Sequence, residues 1–235
     1  VWSRGLRQGA QQGTPLAYNG MLYMPNPNDI IQAINAVTGD LVWEYQRPIP
    51  ADVNDYLGGL ISVNRNIAIY GTTIIDTAND DYIFALNAET GDLAWETQIF
   101  DYTKNPARHS AGPIIANGKV ISGRSCRPLR GPEACAIIAH DARTGEELWR
   151  RHLIPKPGEP GDETWGDVPY EERAHVGSWM VPSYDAELNL VYVGTSVTSP
   201  APNSCSVESR RHTCTITPHS HSTAIRAISC GTTNT

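Results

Sequence analysis

The chain has 235 residues, 40% of them hydrophobic and 18% charged, a balance that sustains a packed core and excludes a disordered chain. Eighteen Lys and Arg against 25 Asp and Glu leave a formal charge of -7 scattered along the sequence. With no basic stripe to neutralise phosphates, nucleic acid is excluded as a partner, and no apolar run is long enough for a membrane span. The opening Val1-Trp2-Ser3-Arg4 lacks the form of an export signal, which is expected outside the given chain. Seventeen Pro and 20 Gly predict many short elements joined by turns.

In chain order, residues 14–23 read as strand, Asn19-Gly20 turn and strand, the strongest short hairpin signal. Ala33-Ile34-Asn35-Ala36-Val37-Thr38-Gly39-Asp40-Leu41-Val42-Trp43-Glu44 follows as a second hairpin. It recurs as Ala85-Leu86-Asn87-Ala88-Glu89-Thr90-Gly91-Asp92-Leu93-Ala94-Trp95-Glu96. A third copy is Ala139-His140-Asp141-Ala142-Arg143-Thr144-Gly145-Glu146-Glu147-Leu148-Trp149-Arg150, itself preceded by a hairpin around Asn117-Gly118. Two hairpins per roughly fifty residues make a four-stranded unit of the size of a propeller blade. The expected fold is therefore all-β, a β-propeller of four-stranded antiparallel blades, with three blades and the start of a fourth. A large ring at one place in every unit packs blade on blade, so Trp43, Trp95 and Trp149 are assigned a structural role and equivalent buried positions.

Residues 154–167 loosen into a Pro- and Gly-rich loop, the kind of segment on which sites are built. Residues 183–194 resume strand, turn and strand. From about Ser204 the composition shifts to Ser, Thr, His, Cys and Arg and the periodicity is lost. A disordered tail and a metal-binding tail are two readings. A third fits better: in a shifted codon phase the residues from Ala224 to Thr233 permit Asp-Thr-Gly-Asp-Ile-Val-Trp-Tyr-Tyr, the next copy of the repeat. Residues 1–203 are accordingly expected to be a partial propeller and 204–235 a non-native frameshift product that lacks a strand partner.

The element Ala-x-(Asn/Asp)-Ala-x-Thr-Gly-x-x-x-Trp resembles the recurring unit of the pyrroloquinoline quinone (PQQ) alcohol dehydrogenases. Four further stretches sit in that family's order: Gln12-Gly13-Thr14-Pro15-Leu16, Val63-Asn64-Arg65, residues 158–165, and Tyr192-Val193-Gly194-Thr195 with Pro200-Ala201-Pro202. The resemblance covers residues 1 to about 203. It implies an N-terminal fragment of an eight-bladed periplasmic quinoprotein that oxidises small alcohols with PQQ and a calcium or lanthanide ion and passes electrons to a cytochrome c. By that resemblance Trp165 is the aromatic floor of the cofactor and Arg65 pairs with a quinone oxygen or carboxylate. Ser110, Ser125 and Thr164 are edge donors, and Gln12 stands where the family often has a Glu. The competing readings are a solvent charge for Arg65, turn hydroxyls for the serines and a packing anchor for Trp165.

The chain also departs from the pattern. Gly59-Leu60 stand where many members have adjacent cysteines. Cys126 and Cys135 instead bracket a loop, either as a disulfide suited to an oxidising compartment or as two free thiols. The family's metal-binding Glu aligns with Pro128, leaving Glu133 as the substitute carboxylate, and its Asn falls near Val197-Thr198. The general base falls beyond the shifted tail, so the fragment itself is expected to be inactive. The alternative function is a cofactor-free propeller serving as a periplasmic binding or assembly scaffold.

Overall fold

Asn19 and Gly20 lie in the left-handed region, at φ 47° and 76°, and close a two-residue turn between β1 (Leu16–Tyr18) and β2 (Met21–Asn26). Positive φ at both positions twists the turn in the sense of the paired strands. β3 (Ile30–Asn35) and β4 (Leu41–Gln46) complete a four-stranded antiparallel sheet in the order β1-β2-β3-β4. After a five-residue helix α1 (Val53–Leu57), the pattern repeats as β5 (Ala68–Tyr70), β6 (Thr73–Thr77), β7 (Tyr82–Asn87) and β8 (Leu93–Gln98). The third unit opens with the short β9 (Ala107–Arg108) and continues through β10 (Ile114–Ala116) and β11 (Lys119–Gly123). Then come β12 (Ser125–Cys126), β13 (Ala136–Asp141) and β14 (Glu147–His152). Its blade is β10-β11-β13-β14, while β9 and β12 pair with each other as a separate ribbon. β15 (Ser183–Asp185) and β16 (Leu190–Gly194) begin a fourth sheet that β17 (Ile225–Ser229) extends. The computed structural model describes residues 1–58, 63–126, 131–200 and 225–229; Gly59, Leu60, Pro128 and the rest of the tail lie outside them.

The repeat motif builds the same turn three times. Asn35 accepts the amides of Val37 and Thr38, as Asn87 accepts those of Glu89 and Thr90 and Asp141 those of Arg143 and Thr144. Ala33, Ala85 and Ala139 face Trp43, Trp95 and Trp149 across the ladder, each next to a bulge. The tryptophan positions are thus equivalent, although of the three only Trp43 is buried and Trp95 and Trp149 are half-buried, which corrects the expectation of uniform burial. Trp43 and Trp95 each cover the turn glycine of the next unit. The Trp43 indole N–H donates to the Ala88 carbonyl at 3.0 Å, and a Cβ on Gly91 would lie 2.7 Å from its ring. Trp95 stands in the same way on Gly145, and Trp2 on Gly39, so the ladder begins earlier than the repeat alone suggests.

Strand alternation divides the core between blades. On β7, Phe84 and Leu86 join Ile31, Ala33 and Trp43 of the first blade, while Ile83 and Ala85 join Val120, Ala136 and Ile138 of the third. Both faces of the strand are buried, at roughly 1.5–3 kcal/mol for each large aliphatic side chain, so a register slip would exchange two cores at once. Among the described residues α1 is the one α-helix, and no helix is long and apolar enough to cross a membrane.

The tail departs from expectation at one place. β17 pairs antiparallel with β16 over Leu190↔Ser229 to Gly194↔Ile225, so this segment does have a strand partner. An open edge offers main-chain donors and acceptors that any extended segment without proline can meet, whatever its side chains were selected for.

Candidate functional site

The step from residue 64 to 66 sends successive side chains different ways. Asn64 turns inward and donates to Asp76 at 2.5 Å; Asp76 is fully buried, and that burial pushes its carboxyl well above the usual range. Asn66 donates to the Pro113 carbonyl at 2.8 Å. Gly112, at φ 74°, is required for this approach, because a Cβ there would run into the Asn66 carbonyl. Arg65 is left to face the other side. Its guanidinium donates to the Ser110 carbonyl at 3.0 Å and the Trp179 carbonyl at 3.3 Å, and stands 5.2 Å from the Trp179 ring centroid. Partial burial lowers its pKa below the ordinary arginine value. Among the described residues no carboxylate pairs with it, whereas Arg47, Arg124 and Arg173, which are more deeply buried, all have acidic partners.

Two serines meet beside it. Ser125 lies on β12, which pairs with β9 through Arg108↔Ser125 and Ala107↔Cys126, and the Ser110 and Ser125 hydroxyls are 2.8 Å apart. The Cys126–Cys135 disulfide, with 5.3 Å between Cα atoms, ties this ribbon to the start of β13 and decides between the two readings of the cysteine pair. The segment at 177–179 rests on the same ribbon: the Ser178 amide donates to the Arg124 carbonyl at 2.9 Å, and a Cβ on Gly177 would lie 2.8 Å from the Cys126 nitrogen. This contact delivers Trp179, 44% exposed, to the guanidinium. A cation with no carboxylate partner among the described residues, two hydroxyls and a partly exposed indole suit a flat anionic ligand, which needs charge, edge donors and a stacking surface together.

Of the residues expected from sequence, Arg65, Ser110 and Ser125 come together here. Gln12 is exposed on a neighbouring segment, whose Thr14 amide donates to the Arg65 carbonyl at 2.9 Å. Thr164 and Trp165 stand apart. The Thr164 hydroxyl donates to the Gly161 carbonyl of its own turn at 2.6 Å. Trp165 is only 3% exposed, packed with Ala107, Cys126 and Val176 under the ribbon and with Arg173 5.4 Å from its ring. The aromatic residue beside Arg65 is Trp179, which the sequence alone does not single out; its one local signal is a Gly-Ser-Trp run a few residues before β15. Glu133 accepts the Tyr170 hydroxyl at 2.7 Å and lies 3.3 Å from His152 and 3.5 Å from Lys156. Burial raises its carboxyl, but these donors together hold it below the ordinary value. Among the described residues no group of three or more His, Cys, Asp or Glu is placed to hold a metal ion.

Residues 3–213 match the family described as PQQ, glucose/ethanol/alcohol dehydrogenase, beta-propeller domain. The chain belongs to this family. It is 30% identical to the quinoprotein alcohol dehydrogenase PedH of Pseudomonas putida over 86% of this chain and 36% of that protein. It is 31% identical to the quinohemoprotein alcohol dehydrogenase of Comamonas testosteroni, over 85% of this chain and 30% of that one. The solved structure of the quinohemoprotein alcohol dehydrogenase ADHIIG from Pseudomonas putida HK5 aligns with a TM-score of 0.70 at 28% identity, covering 81% of this chain and 29% of that chain. The chain thus spans about a third of the length of the curated relatives it matches.

Proposed function

We propose that these blades form one wall of a PQQ site in a periplasmic alcohol dehydrogenase that passes electrons to a cytochrome c. The observation that carries the reading is Arg65, a partly buried guanidinium with no carboxylate among the described residues, set between the Trp179 ring and the two serines. PQQ, when bound, supplies the quinone that accepts two electrons and protons from an alcohol. Arg65 would hold one of its anionic oxygens, Ser110 and Ser125 would donate at its edge, and Trp179, rather than Trp165, would lie against its face. The residues fit that cofactor. They do not offer a calcium or lanthanide ion its ligands: Glu133 is engaged by Tyr170, His152 and Lys156, and hard cations need several oxygens with carboxylates among them. None of Arg65, Ser110, Ser125 and Trp179 is a proton acceptor at neutral pH, so this chain is expected to bind the cofactor without turning over alcohol.

The test is a titration of the 235-residue chain with PQQ, read by tryptophan fluorescence and calorimetry. Saturable quenching that is weakened more than about tenfold by Arg65→Gln, and that loses most of its amplitude in Trp179→Leu, supports the site. Binding unaffected by either change refutes it. No binding at all favours the cofactor-free scaffold.

A further inference from the structure

Beneath the two serines lies a buried carboxylate that the proposed cofactor site does not use. Asp81, in the turn before β7 at φ 63°, has its Oδ1 2.7 Å from His109 Nε2 and 2.7 Å from Arg124 Nη2, with Oδ2 2.8 Å from the same nitrogen. All three side chains are buried. Arg124 also donates to the carbonyls of Ala134 at 2.7 Å and Asn105 at 2.6 Å, and its guanidinium lies 3.8 Å from the Phe100 ring centroid.

The placement of these groups along the chain matters more than their number. His109 immediately precedes Ser110, and Arg124 immediately precedes Ser125. On each segment the first residue is buried against Asp81, while the second, half-buried, turns its hydroxyl to the other serine. One carboxylate of the second blade therefore holds two segments of the third from below. The same Ser110 also gives its carbonyl to Arg65.

We infer that Asp81, through His109 and Arg124, is a positioning residue that sets the spacing of Ser110, Ser125 and Arg65 at the cofactor edge. Burying charges in this way is a poor route to stability, because apolar side chains of similar volume often do as well or better. The first blade shows the contrast. Asp29 occupies the equivalent turn at φ 55°, with its carbonyl accepting the Arg47 amide as that of Asp81 accepts the Ile99 amide. Among the described residues its carboxylate accepts hydrogen bonds from Asn79 of the second blade at 3.0–3.2 Å and feels Asp80 and Arg47 more remotely, and neither Asn79 nor Arg47 adjoins a serine of the candidate site. Buried charge is present one blade away as well, in the Arg47–Asp80 pair at 2.9 Å, but what sets Asp81 apart is that both of its partners directly precede the two serines.

The inference rests on the proposed cofactor reading, and the experiment separates the two. PQQ affinity, melting temperature and amide hydrogen exchange would be measured for the unsubstituted chain, His109→Leu, His109→Gln, Asp81→Asn and Asp29→Asn. His109→Leu should weaken PQQ about tenfold, the loss of one oriented bond to a charged group, while His109→Gln, which keeps a donor toward Asp81, stays within about threefold of the parent. Asp29→Asn, which removes a buried carboxylate that holds neither serine segment, should leave PQQ affinity unmoved. Without cofactor, amide exchange at residues 107–110 and 124–126 should quicken in His109→Leu while the β2–β3 ladder is unchanged. If Asp81→Asn does not fold, the two His109 variants still decide. Exchange unchanged in those segments, or affinity falling equally in His109→Leu, His109→Gln and Asp29→Asn, overturns the inference. Should the unsubstituted chain fail to bind PQQ, the cofactor reading falls, and the exchange arm alone then decides whether Asp81 sets the two serine segments.

Discussion

His140 occupies in β13 the place that Ile34 holds in β3 and Leu86 in β7, the residue following the alanine that faces the repeat tryptophan. It is fully buried, both ring nitrogens lack a hydrogen-bond partner among the described residues, and burial pushes its pKa down to about 4. The folded value lies below the unfolded one, so between pH 4 and 6.5 the unfolded chain binds more protons and stability falls as the pH is lowered, by about 3 kcal/mol across the window. Asp29 acts the other way: burial lifts it to about 6, so the folded chain holds the extra proton and stability falls as the pH rises from about 4 to 6. Replacing the histidine with the repeat's own residue type separates the two. His140→Leu should raise the melting temperature most below pH 5 and least above 7, whereas an equal offset at every pH would show that the imidazole does not titrate on unfolding. Identities at this scale were only partly legible. Arg65 and the two serines follow from the family pattern, but Trp165 and Trp179 are both tryptophans in irregular segments, and only the fold shows that one lies in the core and the other beside the guanidinium.

At the scale of elements, the Thr-Gly turn and the tryptophan of the preceding blade form one unit. Gly91 adopts φ 80° and has the Trp43 ring where a Cβ would stand, so Gly91→Ala suffers both backbone strain and a clash. A loss of about 1–3 kcal/mol is expected, measured by denaturant unfolding, whereas Gly20→Ala, at φ 76° with open space around it, should show the strain alone. The disulfide is the second such device. Closing a loop across a sequence separation of 9 removes about 2–3 kcal/mol of freedom from the unfolded chain, and the Cys126→Ala, Cys135→Ala double variant should lose that much. An unchanged unfolding midpoint would mean the loop is already ordered without the bond. The hairpins were legible because Asn-Gly and Thr-Gly turns report locally on their own geometry. The β9–β12 ribbon was not: two-residue strands carry no periodicity, and their pairing depends on contacts made far along the chain.

Across the whole molecule, three complete blades and part of a fourth leave the tryptophan ladder one step short. Trp2, Trp43 and Trp95 rest on Gly39, Gly91 and Gly145, and among the described residues no further Thr-Gly turn remains for Trp149. The division into a propeller segment to about residue 203 and an out-of-phase tail is a proposal, and the ladder shows how to test it. A tail rewritten in the shifted phase would supply Asp-Thr-Gly followed by an apolar strand and a tryptophan, the combination on which the three preceding turns are built. β17 already shows that the outer edge of β16 can be paired through main-chain bonds. What the rewritten tail adds is a turn glycine for the half-buried Trp149 ring and apolar side chains for the fourth sheet, worth at least 1–2 kcal/mol together, or about 4 °C in a chain of this size. The rewritten chain should therefore melt at least that much higher, and Trp149 emission should shift to shorter wavelength as its ring is covered. Trp149→Leu should lose more stability in the rewritten chain than in the present one, because only there does the ring have a turn to cover. Equal melting temperatures and an equal cost of Trp149→Leu in both chains would show that the shifted phase has no place in this fold and that the tail belongs to the protein as it stands.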